Sequence, residues 1–170
     1  MSITKSTNVV QSGNFEWIDL LSRIQNRIAP LLNEKRNRKR ILKAMKEVMV
    51  IVVNFADSQF PEDKFDAMQV KVTALYQQIV NIEEKIDYQL YYKLGSVLGF
   101  GRGYKTDLEE RYQEIHKDSV ALIRNVFYES ILLSGTDGAT AKDIFDGVDA
   151  LTSGLESVFK SSKFTDLILS

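Results

Sequence analysis

No cysteine occurs anywhere in this sequence, which excludes disulfides, thiolate metal ligands and thiol nucleophiles together. Compartment stays open, because a cysteine-free chain folds in either redox environment. Proline is nearly absent as well, only Pro30 and Pro61, and the long uninterrupted runs that result favour helices over many short strands. Long hydrophobic runs are also lacking. The most apolar stretch, Val48 to Ala56, is about half of the ~20 residues that a membrane-spanning helix needs. The start, MSITKSTNVVQSGN, has no apolar core behind a basic head and does not read as a secretory signal. A soluble, cytoplasmic protein is therefore expected.

What is present suits one globular domain. The 170 residues are 44% hydrophobic and 26% charged, long enough to bury a substantial core without staples. Net charge is only −1, but it is unevenly spread. Residues 1–46 carry ten Lys/Arg against three Asp/Glu, and residues 47–170 carry twelve against twenty. Such a split points to an electrostatic partner, either another molecule or the other half of the same fold.

Apolar spacing predicts the helices. Residues 1–13 read as a flexible tail, and residues 14–170 as a single helical-bundle domain. From Asn14, a plausible N-cap, Trp17, Leu21, Ile24, Ile28 and Leu31 form one helical stripe, which Pro30 is expected to kink or end. Ile41, Met45, Val48, Val52 and Phe55 repeat the pattern, widened by Leu42 and Met49, and Pro61 is expected at the first position of the next helix. There, Phe65, Met68, Val72, Leu75, Ile79, Ile82 and Ile86 are spaced three, four, three, four, three, four. This is an a/d seam over three heptads, continued by Leu90 and Leu94.

Thr106-x-x-Glu109 has the form of a capping box and predicts the start of a fourth helix through Leu108, Tyr112, Ile115, Leu122 and Val126, with Ser119 at one seam position. After SGTDGAT, Thr140 is expected to cap a last helix through Ile144, Val148, Leu151, Leu155 and Val158. The tail beyond offers Phe164 and Leu167 for packing. The predicted fold is all-α: an up-and-down antiparallel bundle of four to five long amphipathic helices.

Few residues suggest chemistry. The stretch LGSVLGFGRGYKT holds Gly95, Gly99, Gly101 and Gly103, but Tyr104 puts Lys105 out of register for a Walker A loop, and no strand precedes the glycines as a Rossmann fingerprint requires. It reads as the turn of a long hairpin. Val97, Leu98, Gly99, Phe100, Gly101, Arg102, Gly103 and Tyr104 form a candidate interaction loop, because a plain turn does not need four large apolar or aromatic residues. His116 is the only histidine and lacks the Glu-x-x-His spacing of bundle di-iron sites, so no metal is expected. Asp143, Asp146 and Asp149 line one helical face, which reads as a solvated acidic stripe or a match for the basic segment. Glu83/Glu84 and Glu109/Glu110 read as surface residues beside the seam. No catalytic residue, cofactor or small-molecule substrate is inferred.

The strongest remaining feature is EKRNRKRILKAMK. Lys35, Arg36, Arg38, Lys39 and Arg40, followed by Lys43 and Lys46, form a candidate anion-binding segment. A solvated face neutralised by the acidic half competes with a patch for lipid head groups or for nucleic-acid phosphates. The leading expectation is a non-catalytic helical bundle that binds another protein or itself. The alternative is a peripheral membrane bundle holding anionic lipid through residues 35–46, and nucleic acid ranks behind both.

Overall fold

Residues 13–32, 38–93 and 102–161 are described by the computed structural model, with side chains described for 17–32, 38–86 and 107–160. Five α-helices make up most of the described residues: α1 (Gly13–Ile28), α2 (Arg38–Gln59), α3 (Glu62–Lys93), α4 (Arg102–Ser134) and α5 (Gly138–Ser161). A 3₁₀ turn, Ala29–Leu32, follows α1. No strand occurs among the described residues. The predicted all-α bundle is the observed fold.

Cross-helix pairs give the direction of each element. Trp17 meets Phe55 and Arg27 meets Glu47, so α1 and α2 run oppositely. Lys64 near the start of α3 reaches Glu129 late in α4. Tyr128 meets Phe145, while Tyr112 meets Phe159, so α4 and α5 are also antiparallel. Each helix packs on its sequence neighbour, and α1 also contacts α5 and α4, while α2 contacts α4. Together α1, α2, α4 and α5 enclose a four-helix core, and α3 lies on the α2–α4 side.

All seven seam residues of α3, Phe65 to Ile86, are buried. Each such side chain contributes about 1.5–3 kcal/mol relative to exposure, an upper figure because the unfolded chain already hides some surface. The seam is thus consumed within the fold, and pairing of α3 with another chain along that stripe is excluded. The two termini of the α1 stripe are pinned differently. Trp17 stacks on Phe127 at 5.0 Å between centroids, and Leu31 is buried from within the 3₁₀ turn where Pro30, lacking an N–H, ends the α-helical ladder.

Four helix starts differ from the sequence expectation. α1 begins at Gly13, so Asn14 lies inside the helix and is not its cap. Pro61 stands just before α3 rather than at its first position, and its carbonyl accepts the Phe65 N–H at 2.8 Å. α4 begins at Arg102, so Thr106 and Glu109 are already inside the helix and form no capping box at its start. α5 begins at Gly138, and its cap is Asp137, not Thr140: Asp137 Oδ1 accepts the Thr140 N–H at 2.8 Å. Asn, Asp, Ser and Thr all serve as caps, and local sequence alone does not choose between two candidates three residues apart. Gly135, with φ +64°, ends α4 in the left-handed conformation that relieves its last carbonyls.

Gly13 opens α1; the rest of the expected tail, together with Leu94, Phe164 and Leu167, lies outside the described residues, and the side chain of Leu90 likewise.

Candidate functional site

Part of the basic segment is used within the molecule where it is described. Arg38, the first residue of α2, is completely buried. Its Nη1 donates to Glu109 Oε2 at 2.7 Å and its Nη2 to Glu109 Oε1 at 3.1 Å. The guanidinium lies 4.0 Å over the buried Tyr112 ring, adding a cation–π contact. This residue, expected on an open anion-binding face, instead joins α2 to α4, because a bidentate carboxylate and an aromatic face satisfy a guanidinium that water no longer reaches.

Lys46 is also drawn inward, with Nζ 2.8 Å from Glu83 Oε1 on α3. The hydrogen bond to Glu83 holds its ammonium above the usual lysine range, against the opposing effect of burial. Glu83 and Glu109, expected as plain surface residues, are therefore the carboxylates that pair with Lys46 and Arg38. Lys39, Arg40 and Lys43 remain exposed on α2. Lys35 and Arg36 lie outside the described residues.

Of the candidate loop, Val97, Leu98, Gly99, Phe100 and Gly101 also lie outside them, and Arg102, Gly103 and Tyr104 are described only as backbone in the first turn of α4. The ends of that connection are placed: α3 finishes at Lys93 and α4 starts at Arg102. The Arg38–Glu109 bond brings the start of α2 to the same end of the bundle.

His116 stacks flat on Phe159, with centroids 4.8 Å apart and rings 17° from parallel. Its Nε2 is buried without a hydrogen-bond partner, as is the Oγ of Ser119 one turn later. Desolvation lowers the imidazole pKa below the ordinary value, partly offset by Glu156 and reinforced by Lys160 and Lys117. Ser119 is fully buried, so this Ser–His proximity offers no surface from which a substrate is reached. Asp143, Asp146 and Asp149 are exposed as the stripe expectation required. Asp146 pairs with Lys142 and Asp149 with Arg124. No group of three or more His, Asp or Glu side chains suited to a metal ion exists among the described residues.

Sequence reading missed one open feature of the surface, which lies between α3 and α4. A groove of about 310 Å³ is walled on one side by Lys71, Ala74, Leu75 and Gln78 and on the other by Asp118, Ala121, Leu122 and Asn125. The two alanines leave the floor open where larger side chains would fill it. The outward face of α3 along this groove reads Ala67, Val70, Lys71, Ala74, Gln77, Gln78 and Asn81, all exposed. Only one of these residues is charged, whereas a helix face turned to water is normally charge-rich. Val70 stands 70% exposed there. The signal was available in the sequence of α3, but its other wall comes from residues some forty-five positions later.

No described helix is long and apolar enough to cross a membrane. No protein-family model matches the chain, and neither a curated protein nor a solved structure is significantly similar to it.

Proposed function

We propose that this protein is a non-catalytic helical bundle that works by associating with protein chains, and that it does so through the outward face of α3 and α4. The observation that carries this reading is the open apolar groove between Ala74 and Ala121, set in a charge-poor face with Val70 exposed. Burying such a surface on a partner is favourable at about 25 cal/mol per Å² of apolar area before the costs of association. Small residues at the centre allow a helix or a second face to approach closely.

The test is capture by the full chain from cells that express it, run beside Ala121→Arg, followed by reconstitution with purified components. Ala121 is exposed, so the arginine blocks the groove without entering the core. A protein bound directly by the wild type and lost by the variant supports the reading. Identical partners for both forms refute the α3–α4 assignment.

The alternative is docking to an anionic membrane surface. It is favoured by one relationship: the exposed Lys39, Arg40 and Lys43 lie on the first turns of α2, at the end of the bundle where α3 gives way to α4. Each basic residue near an anionic surface contributes about 1 kcal/mol. Co-sedimentation with anionic vesicles that is lost at high salt, and lost in Lys39→Glu/Lys43→Glu, supports docking. Absence of binding to anionic vesicles at low salt refutes it.

A further inference from the structure

We infer that the occupant of the α3–α4 groove is a second copy of this chain, related by a two-fold axis running along the groove. The inference rests on the association reading above and adds the partner and its geometry. It starts from two charges. Lys71 stands on the α3 wall and Asp118 on the α4 wall of the same groove. Both are exposed, and neither forms an ion pair with the other or with any described residue. Between them the floor is apolar: Ala74, Leu75, Ala121 and Leu122.

A two-fold interface pairs a surface with itself, so it needs a patch whose halves complement each other. This face meets that condition. Rotation about an axis along the groove lays α3 of each copy over α4 of the other. Lys71 of one copy then approaches Asp118 of the second, and symmetry produces the pair twice. The apolar floors meet between the pairs, with the small side chains of Ala74 and Ala121 at the point of closest approach. A face carrying charge of a single sign would repel its own copy; here each wall contributes one sign.

The size is adequate. Over Glu62–Ile86 the two helices present a face about 37 Å long and about 20 Å wide. That is close to the ~800 Å² per partner of a standard specific interface.

Sedimentation velocity of the purified full chain, from about 1 to 200 µM, tests the inference. The expected result is a concentration-dependent dimer. Ala121→Arg removes it while leaving the helical circular-dichroism signal intact, and the melting curve too at concentrations where both forms are monomeric. Lys71→Glu and Asp118→Lys each weaken association by about tenfold or more, since each sets like charges face to face. The double reversal Lys71→Glu/Asp118→Lys restores it to within about threefold of the wild type, because the pair re-forms with exchanged signs. A wild type that stays monomeric across the range overturns the inference. So does a dimer that survives Ala121→Arg, or a double reversal no better than the single changes. A monomeric wild type whose groove still captures a different protein, lost in Ala121→Arg, overturns the self-pairing alone and leaves the association reading standing.

Discussion

The guanidinium of Arg38 closes on Glu109 through two nitrogens while lying 4.0 Å over the Tyr112 ring, tying the start of α2 to α4 across 71 positions of sequence. The two partners are unequal. Arg38 has no exposed side-chain surface, whereas that of Glu109 is 44% exposed. Removing the acid takes the bidentate carboxylate away from a buried cation; removing the arginine leaves a carboxylate that water still solvates. Glu109→Ala is therefore expected to destabilise the fold by about 3 kcal/mol or more, and Arg38→Met by clearly less. Urea unfolding of both variants checks the order, and equal losses would contradict it.

His116 makes stability depend on pH. Burial favours its neutral form, so its pKa in the fold lies below the ordinary 6.5 that applies when unfolded. A depressed folded pKa means that the unfolded chain binds the proton first. The contribution is fully present above pH 6.5 and is lost as pH falls from there through the folded value. Glu156 on α5 opposes the shift, while Lys160 on α5 and Lys117 on α4 deepen it. Melting curves between pH 7.5 and 5 follow this, and His116→Phe should flatten the part of the slope that begins near 6.5.

Ser119 carries a buried hydroxyl with no partner at a seam position of α4. Ser119→Ala removes the unsatisfied group at little cost in packing, and alanine suits a helix better. A gain of about 1 kcal/mol is expected, read as a rise of a few degrees in melting temperature. A loss would mean that the hydroxyl has a bound water as partner.

Asp137 and Thr140 separate cap from helix interior. Thr140 donates its backbone N–H to the Asp137 carboxylate, and that bond is the main reason the carboxyl is held below its usual range. Asp137→Ala removes the acceptor of both the Thr140 backbone N–H and the Thr140 hydroxyl and should lower the melting temperature more than Thr140→Ala, which loses only the hydroxyl bond and keeps the backbone donor. The two melting temperatures decide between the residues.

Two glycines should respond in opposite directions to alanine. Gly154 lies inside α5, and an added Cβ meets nothing within 4 Å, so Gly154→Ala should stabilise by about 0.5–1 kcal/mol. Gly135 also has open space around it, but its φ of +64° is one that alanine adopts at a cost. Gly135→Ala should destabilise by about 1 kcal/mol. Denaturant midpoints of the pair provide the comparison.

Periodicity alone determined most of the architecture. The three–four spacing from Phe65 to Ile86 became a continuous buried stripe, and the stripes of α2 and α5 were legible in the same way. Such a pattern sums evidence over many residues of one segment, and burying it against any neighbour satisfies it. Single residues lack that redundancy. Thr106 and Glu109 resembled a capping box, but α4 starts earlier, at Arg102. Arg38 looked like its exposed neighbours in a basic run until Glu109 and Tyr112 were placed around it. The open groove needed both walls, Ala74 from α3 and Ala121 from α4. The sequence by itself therefore determined which stretches are helical and which faces turn inward. Only the tertiary structure decided which charges are spent inside the fold and which surface is left open. The reason is physical: helical amphipathicity is a local property, whereas an ion pair or a groove exists only once two distant segments have been brought together.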